Sequence, residues 1–138
     1  MIFERKKYLD ELIAGRGNGL VKIITGVRRC GKSFLLFDIW HNWLLEHGVT
    51  DSHIIEIQLD DFRNRRLRKP DALLDYIDSK VVDDGNTYYV VLDEVQLVEE
   101  FVEVILSLTH MRNVDVYVSG SNSRFLSSDV VTEFRGRG

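Results

Sequence analysis

Gly26-Val27-Arg28-Arg29-Cys30-Gly31-Lys32-Ser33 has the spacing Gly-x-x-x-x-Gly-Lys-Ser. A loop of this pattern turns a strand into a helix while aiming successive backbone N–H groups at one point. Those donors, with the positive end of the following helix, make a socket for the phosphates of a nucleotide. Lys32 is placed to reach the β- and γ-phosphates, and the Ser33 hydroxyl to bind Mg²⁺. Gly26 and Gly31 suit a loop that bends through φ values a side chain opposes and that lays phosphate against bare backbone. The nucleotide-binding set is therefore Gly26, Val27, Arg28, Arg29, Cys30, Gly31, Lys32 and Ser33, with Phe34 next in line. The flanks agree. Leu20-Val21-Lys22-Ile23-Ile24-Thr25 is a short β-branched run and reads as a strand. Ser33 to His47 runs without Gly or Pro, stops at Gly48, and reads as a helix. A glycine turn with an accidental Lys-Ser is the competing reading, and it does not require such flanks.

The rest of the chain sets bounds. Its 138 residues suffice for one domain with a sizeable core, and 44% of them are hydrophobic. A net charge of −4 gives no general reason to expect nucleic-acid binding. No apolar run approaches membrane-spanning length, so no membrane partner is expected. The N-terminus lacks a signal peptide's apolar segment, and a single cysteine excludes an internal disulfide framework. A cytoplasmic protein is the natural expectation.

Elements alternate regularly. The pattern predicts a helix over Phe3–Ala14, a turn over Gly15–Gly19, strand one over Val21–Thr25, and then the long helix. Strand two is expected at His53–Leu59, followed by a basic connection and a helix over Asp71–Val82, with Pro70 before its first turn. Strand three is expected at Thr87–Leu92, a helix at Glu99–Met111, and strand four at Val114–Ser119, with a polar stretch and a short helix closing the chain. Strands alternating with helices imply an α/β fold, a parallel sheet covered on both faces. The chain stops at Arg135-Gly136-Arg137-Gly138 with no further strand, which suggests a fragment of a longer protein, a small natural domain being the alternative.

Val90-Val91-Leu92-Asp93-Glu94 is the second half of the site. The apolar run buries the strand, and the acids emerge at its C-terminal end, where open α/β sheets bind ligands. Asp93 is expected to hold Mg²⁺, and Glu94 to orient and deprotonate the water that attacks the γ-phosphate. Alone this pattern is weak, because strands often end in Asp or Glu. Sixty residues after Ser33 it gains weight. A carboxylate directly after the metal-binding Asp fits ATPases rather than GTPases, and no Asn-Lys-x-Asp base-reading motif is present. Strand four ends in Ser119-Gly120-Ser121-Asn122. Asn122, with Ser121 beside it, is placed to bond the attacking water or a γ-oxygen; the alternative is an ordinary polar turn.

Together, Gly26-Val27-Arg28-Arg29, the Gly31-Lys32-Ser33 end of the loop, Leu92-Asp93-Glu94-Val95-Gln96 and Ser119-Gly120-Ser121-Asn122-Ser123 resemble the AAA-like ATPases of bacteria and archaea, relatives of the archaeal-type ATPases. The resemblance covers nearly the whole chain. It implies a three-layer P-loop fold with strand order 5-1-4-3-2, strand five being absent from this chain, and ATP and Mg²⁺ as ligands. It further implies a lid or winged-helix region and a C-terminal domain, sometimes nuclease-like, beyond Gly138. In such proteins an arginine just before strand five reaches a neighbouring subunit's γ-phosphate. Arg135 and Arg137 occupy that region, with Arg137 the residue in the Gly-Arg pair, so a homo-oligomer through the full-length protein is implied.

Weaker signals have plainer readings. Cys30, beside Arg29 and Lys32 at a helix start, is in surroundings that favour a thiolate, or is simply a tolerated loop residue. Arg63-Asn64-Arg65-Arg66-Leu67-Arg68-Lys69 could contact nucleic-acid phosphates. Asp60, Asp61 and Asp71 flank it, and a solvated or subunit-facing connection explains it better. Phe34, Phe37, Trp40, Trp43 and Leu44 recur at helical spacing and are expected on a core face. His41, His47, His53 and His110 show no metal-ligand spacing, and no zinc is expected. The sequence thus reads as an Mg²⁺-dependent ATPase domain over residues 1–138. The alternatives are a nucleotide-dependent switch with little hydrolysis and a small-molecule phosphotransferase.

Overall fold

The structure is a computed structural model that describes residues 5–25 and 31–121. Helix α1 (Arg5–Gly15) leads into strand β1 (Lys22–Thr25). Beyond the loop come α2 (Lys32–Phe34), a π-helical stretch (Leu35–Trp40) and α3 (His41–Glu46), which run on as one rod. Strand β2 (Ile54–Gln58), helix α4 (Pro70–Lys80), strand β3 (Tyr88–Asp93), helix α5 (Phe101–Thr109) and strand β4 (Val114–Gly120) follow. Short 3₁₀ turns lie at Phe62–Arg68 and Val95–Leu97.

The four strands form one parallel sheet of order β1-β4-β3-β2, the order expected for strands one to four. Every residue of β3 and β4 is buried, as central strands covered on both faces must be. Outer strand β2 alternates instead, with Ile55 and Ile57 buried. The pleat divides the core in two. Val90, Leu92, Val116 and Val118 face α4 and α5 through Leu73, Ile77, Val104 and Leu108. Tyr89, Val91, Tyr117 and Ile24 face the other layer, where Leu12, Leu36, Trp40 and Leu44 pack. The result is three layers.

The long rod departs from expectation in two ways. Its middle six residues are π-helical, a winding often found near functional sites. Its buried line is Lys32, Leu36, Trp40 and Leu44, spaced by four, with Leu35 buried beside it. Phe34 falls two positions off that line, roughly the opposite side of a helix. It is 46% exposed, so it does not join the core face expected of it. Trp40 does, with its ring 5.0 Å from that of Tyr117 and 5.2 Å from that of Trp43.

At the N-terminal ends of β1 and β4 lies a buried polar staple. Lys22 Nζ donates to Asp115 Oδ1 (2.6 Å), the Leu20 carbonyl (2.7 Å) and Asn18 Oδ1 (3.0 Å). Asp115 Oδ2 accepts from the Gly17 N–H (2.9 Å) and Tyr117 Oη (2.5 Å). Burial lowers the Lys22 ammonium's pKa, against the pull of Asp115. Burial and the Asp115 charge together raise the Tyr117 phenol's. The staple ties the turn after α1 to the base of the sheet, and so sets where β1 starts and where it delivers the loop at its other end.

Candidate functional site

Parallel pairing brings all four C-terminal strand ends to one edge. Gln58 is in register with Asp93, and Thr25 with Gly120. Ser33 enters from the helix that follows the loop, and Asp93 ends β3. Gly31, at φ 105°, supplies the left-handed backbone that starts α2, and Lys32 and Ser33 follow immediately.

The polar side chains then converge. Ser33 Oγ donates to Asp93 Oδ2 at 2.7 Å. Ser119 Oγ, from β4, donates to Asp93 Oδ1 and accepts the Glu94 N–H at 3.0 Å. Lys32 Nζ lies 2.8 Å from Glu94 Oε2. Glu94 Oε1 accepts from Gln96 Nε2 and from Ser121 Oγ, each at 2.7 Å. Lys32, Asp93, Glu94 and Ser119 are all buried. Burial pushes the Asp93 carboxyl up, offset in part by hydrogen bonds from Ser119 and Ser33, and the neighbouring Glu94 adds to the rise. Burial acts on Glu94 in the same direction, but bonds from Gln96, Lys32 and Ser121 outweigh it and hold its carboxyl below the usual value.

Glu94 also carries backbone strain. Its φ of 57° and ψ of 49° place a non-glycine residue in the left-handed region. Such a conformation costs about 1–3 kcal/mol and persists where the surroundings over-determine it. Here the Ser119 bond to the Glu94 N–H and the buried Val95 behind it do so. The turn directs the carboxylate back toward Lys32.

A family model described as an AAA domain matches residues 18–138. The chain belongs to the AAA domain family. Two curated relatives are uncharacterized proteins. One, from Haemophilus influenzae, is 29% identical over 136 residues, covering 99% of this chain and 34% of the relative. The other, from Methanocaldococcus jannaschii, is 28% identical over 121 residues, covering 85% of this chain and 24% of the relative. This AAA domain thus spans about a third or less of the length of the curated relatives it matches. Among solved structures it is similar to Caenorhabditis elegans PCH-2 (TM-score 0.57, 16% identity, 94% of this chain and 38% of that one). It is also similar to a chain of Drosophila ORC bound to AT-rich DNA and Cdc6 (TM-score 0.50, 11% identity, 94% of this chain and 51% of that one). At these identities the likeness concerns the fold, which is that of the AAA-type P-loop ATPase domains.

Within this AAA domain, the structure brings together Lys32, Ser33, Asp93, Glu94 and Ser121. Phe34 sits beside them on the exposed side of the helix. Gly26, Val27, Arg28, Arg29, Cys30, Asn122, Arg135 and Arg137 lie outside the described residues. Two participants were missed in the sequence. Ser119 is a hydroxyl in an otherwise apolar strand interior, one position before a glycine, and that was its available signal. Gln96 ends the Leu92–Gln96 run, and nothing in the sequence alone gives it a partner.

The other sequence signals resolve plainly. Arg63 pairs with Asp61 at 2.8 Å and Lys69 with Glu99 at 2.5 Å, while Arg68 Nε donates to the Leu59 carbonyl. The basic run is therefore partly neutralised at home. His41 bonds Glu56 and Asp51, and His53 bonds Asp84, at separate places. Among the described residues no helix is long and apolar enough to cross a membrane. Two clefts lie elsewhere, one of about 350 Å³ beside Arg16 and Tyr89 and one of about 540 Å³ between β2 and Tyr76. Among the described residues the candidate site is defined by converging donors and acceptors.

Proposed function

We propose that this domain binds ATP with Mg²⁺ and hydrolyses it at Lys32, Ser33, Asp93 and Glu94. The observation that carries the reading is convergence. Four residues drawn from two segments 60 residues apart meet in two direct contacts, Ser33 with Asp93 and Lys32 with Glu94. The donor set suits the metal: a serine hydroxyl and an aspartate carboxylate are hard oxygen ligands, side by side at the end of a buried strand. Ser33 and Asp93 would hold Mg²⁺ there, which when bound supplies positive charge to the β- and γ-phosphates.

The chain's own groups then divide the work. Lys32 gives its ammonium to the phosphates, whose oxygens compete with Glu94 for it. Glu94 Oε2, relieved of Lys32, takes the proton of the attacking water. Ser119 keeps Asp93 and the Glu94 backbone in fixed relation. Gly26, Val27, Arg28, Arg29, Cys30 and Gly31 complete the phosphate cradle, and Asn122 bonds the γ-phosphate or the water. Arg137, with Arg135 near it, acts across a homo-oligomer formed by the full-length protein. Residues 1–138 form one ATPase unit whose hydrolysis drives parts of the protein beyond it, in the cytoplasm.

One observation favours a second reading, a nucleotide-dependent switch with slow turnover. Glu94 has both carboxylate oxygens engaged, by Lys32 on one side and by Gln96 and Ser121 on the other. A base so fully bonded acts only after Lys32 departs. Calorimetric titration with ATP and Mg²⁺ tests the shared part of both readings. Saturable one-to-one binding that Lys32→Ala abolishes is expected; equal affinity in Lys32→Ala would remove the site.

A further inference from the structure

We infer that Gln96 is the positioning residue of this site, anchoring one oxygen of Glu94 so that the other is the oxygen that meets the attacking water. The inference rests on the hydrolytic reading above and goes further, because Gln96 has no part in that reading.

Three observations carry it. The first is where the bond falls. Gln96 lies on the short 3₁₀ turn Val95–Leu97, which begins at the left-handed Glu94. That backbone reversal lets a side chain two residues on reach back, and Gln96 Nε2 donates to Glu94 Oε1 at 2.7 Å. Val95 between them is fully buried and holds the turn.

The second is what Gln96 forgoes. Its own Oε1 is buried and finds no hydrogen-bond donor among the described residues. Buried amides ordinarily satisfy both ends. A residue present for packing alone would be apolar at no such cost. Gln96 gives its donor to a carboxylate while its acceptor meets no donor among the described residues, as expected of a side chain retained for the carboxylate's sake.

The third is the asymmetry of the carboxylate. Glu94 Oε2 is held by Lys32, a flexible ammonium that phosphate oxygens attract. Glu94 Oε1 is held by two neutral donors, Gln96 and Ser121, which phosphate does not draw away with comparable force. When Lys32 turns to a triphosphate, Oε2 opens while Oε1 stays fixed. In the step that follows, the water oxygen bonds the γ-phosphorus and its proton passes to Glu94 Oε2. The bond from the γ-phosphorus to the bridging oxygen breaks, and ADP leaves with that electron pair.

The test compares Gln96→Ala with Gln96→Met, which keeps the length and bulk of the side chain but has no donor. Single-turnover hydrolysis and ATP affinity are measured on each. Both variants are expected to bind ATP within about threefold of the wild type and to hydrolyse it about 10- to 100-fold more slowly, the scale of loss that follows when a reacting group is misplaced by about 1 Å. A role in packing predicts rescue by methionine, so hydrolysis by Gln96→Met within threefold of wild type overturns the inference. A fall in ATP affinity that matches the fall in rate overturns it too. A second readout needs no turnover: the carboxylate carbon resonance of Glu94, assigned by its loss in Glu94→Gln, is expected to move in Gln96→Met. An unmoved resonance also overturns the anchor. If the wild type binds ATP without hydrolysing it, the hydrolytic reading fails, and the resonance alone decides whether Gln96 holds Glu94.

Discussion

Two buried lysine–carboxylate pairs lie at opposite ends of the sheet and behave as opposites. Lys22–Asp115, at the N-terminal ends, is saturated: the ammonium has three acceptors, and the carboxylate takes bonds from Lys22, Gly17 and Tyr117. Lys32–Glu94, at the C-terminal ends, comes with strain at Glu94, an oxygen on Gln96 that finds no donor among the described residues, and a hydroxyl–carboxylate contact beside it. The same two charges therefore serve different ends. Where every lone pair and proton is met locally, the pair is architecture. Where a lysine is tied by a bond that a phosphate can outbid, next to oxygens suited to a metal, the pair fits the nucleotide site proposed above.

The largest effect expected from breaking this contrast is on the staple. Asp115→Ala leaves Lys22 buried and unpaired, a loss of about 3–5 kcal/mol for a buried pair. Urea denaturation reads it directly, and the folded fraction is expected to keep its ATP affinity. A loss under about 1 kcal/mol, the scale of an exposed pair, would mean that Lys22 escapes to water. Next in size is Lys32→Ala, expected to weaken ATP binding at least about 100-fold, or about 2.7 kcal/mol. Its unfolding free energy from urea titration is expected to stay within about 1 kcal/mol of wild type, because the Gln96 and Ser121 bonds to Glu94 persist. Equal damage to stability in both variants would erase the distinction between staple and site. The smallest effect is expected from replacing the staple whole: the double variant Lys22→Met, Asp115→Leu should recover most of the single-variant loss, since apolar pairs often substitute for buried ion pairs without net cost. No recovery would show that the hydrogen bonds to Gly17, Leu20 and Tyr117, not the charges, carry the staple.

Much of the candidate site was legible because its motifs are local in sequence. Glycine, lysine and serine at fixed spacing describe a loop, and an apolar run ending in Asp93-Glu94 describes a strand that delivers acids. Strand alternation, with the family resemblance, also anticipated the order β1-β4-β3-β2. What stayed hidden depends on pairing across distance. Lys22 and Asp115 are 93 residues apart, and each on its own resembles a solvated strand end. Ser119 became a site residue only once parallel register set β4 beside β3. Phe34 was misread because hydrophobic spacing alone does not choose the buried line. Lys32, Leu36, Trp40 and Leu44 won it, and a lysine was the member no apolar pattern would nominate. The π-helical middle of that rod had no sequence signal that we can identify.

The central claim is that Glu94 is the base of an ATP-hydrolysing site built on Lys32, Ser33 and Asp93. Single-turnover hydrolysis of ATP by the wild type and by Glu94→Gln, with ATP affinity measured on the same preparations, tests it most directly. The expected result is unchanged affinity and a rate reduced by about 10²- to 10⁴-fold, the usual contribution of a positioned acid–base group. Wild-type hydrolysis surviving in Glu94→Gln would contradict it.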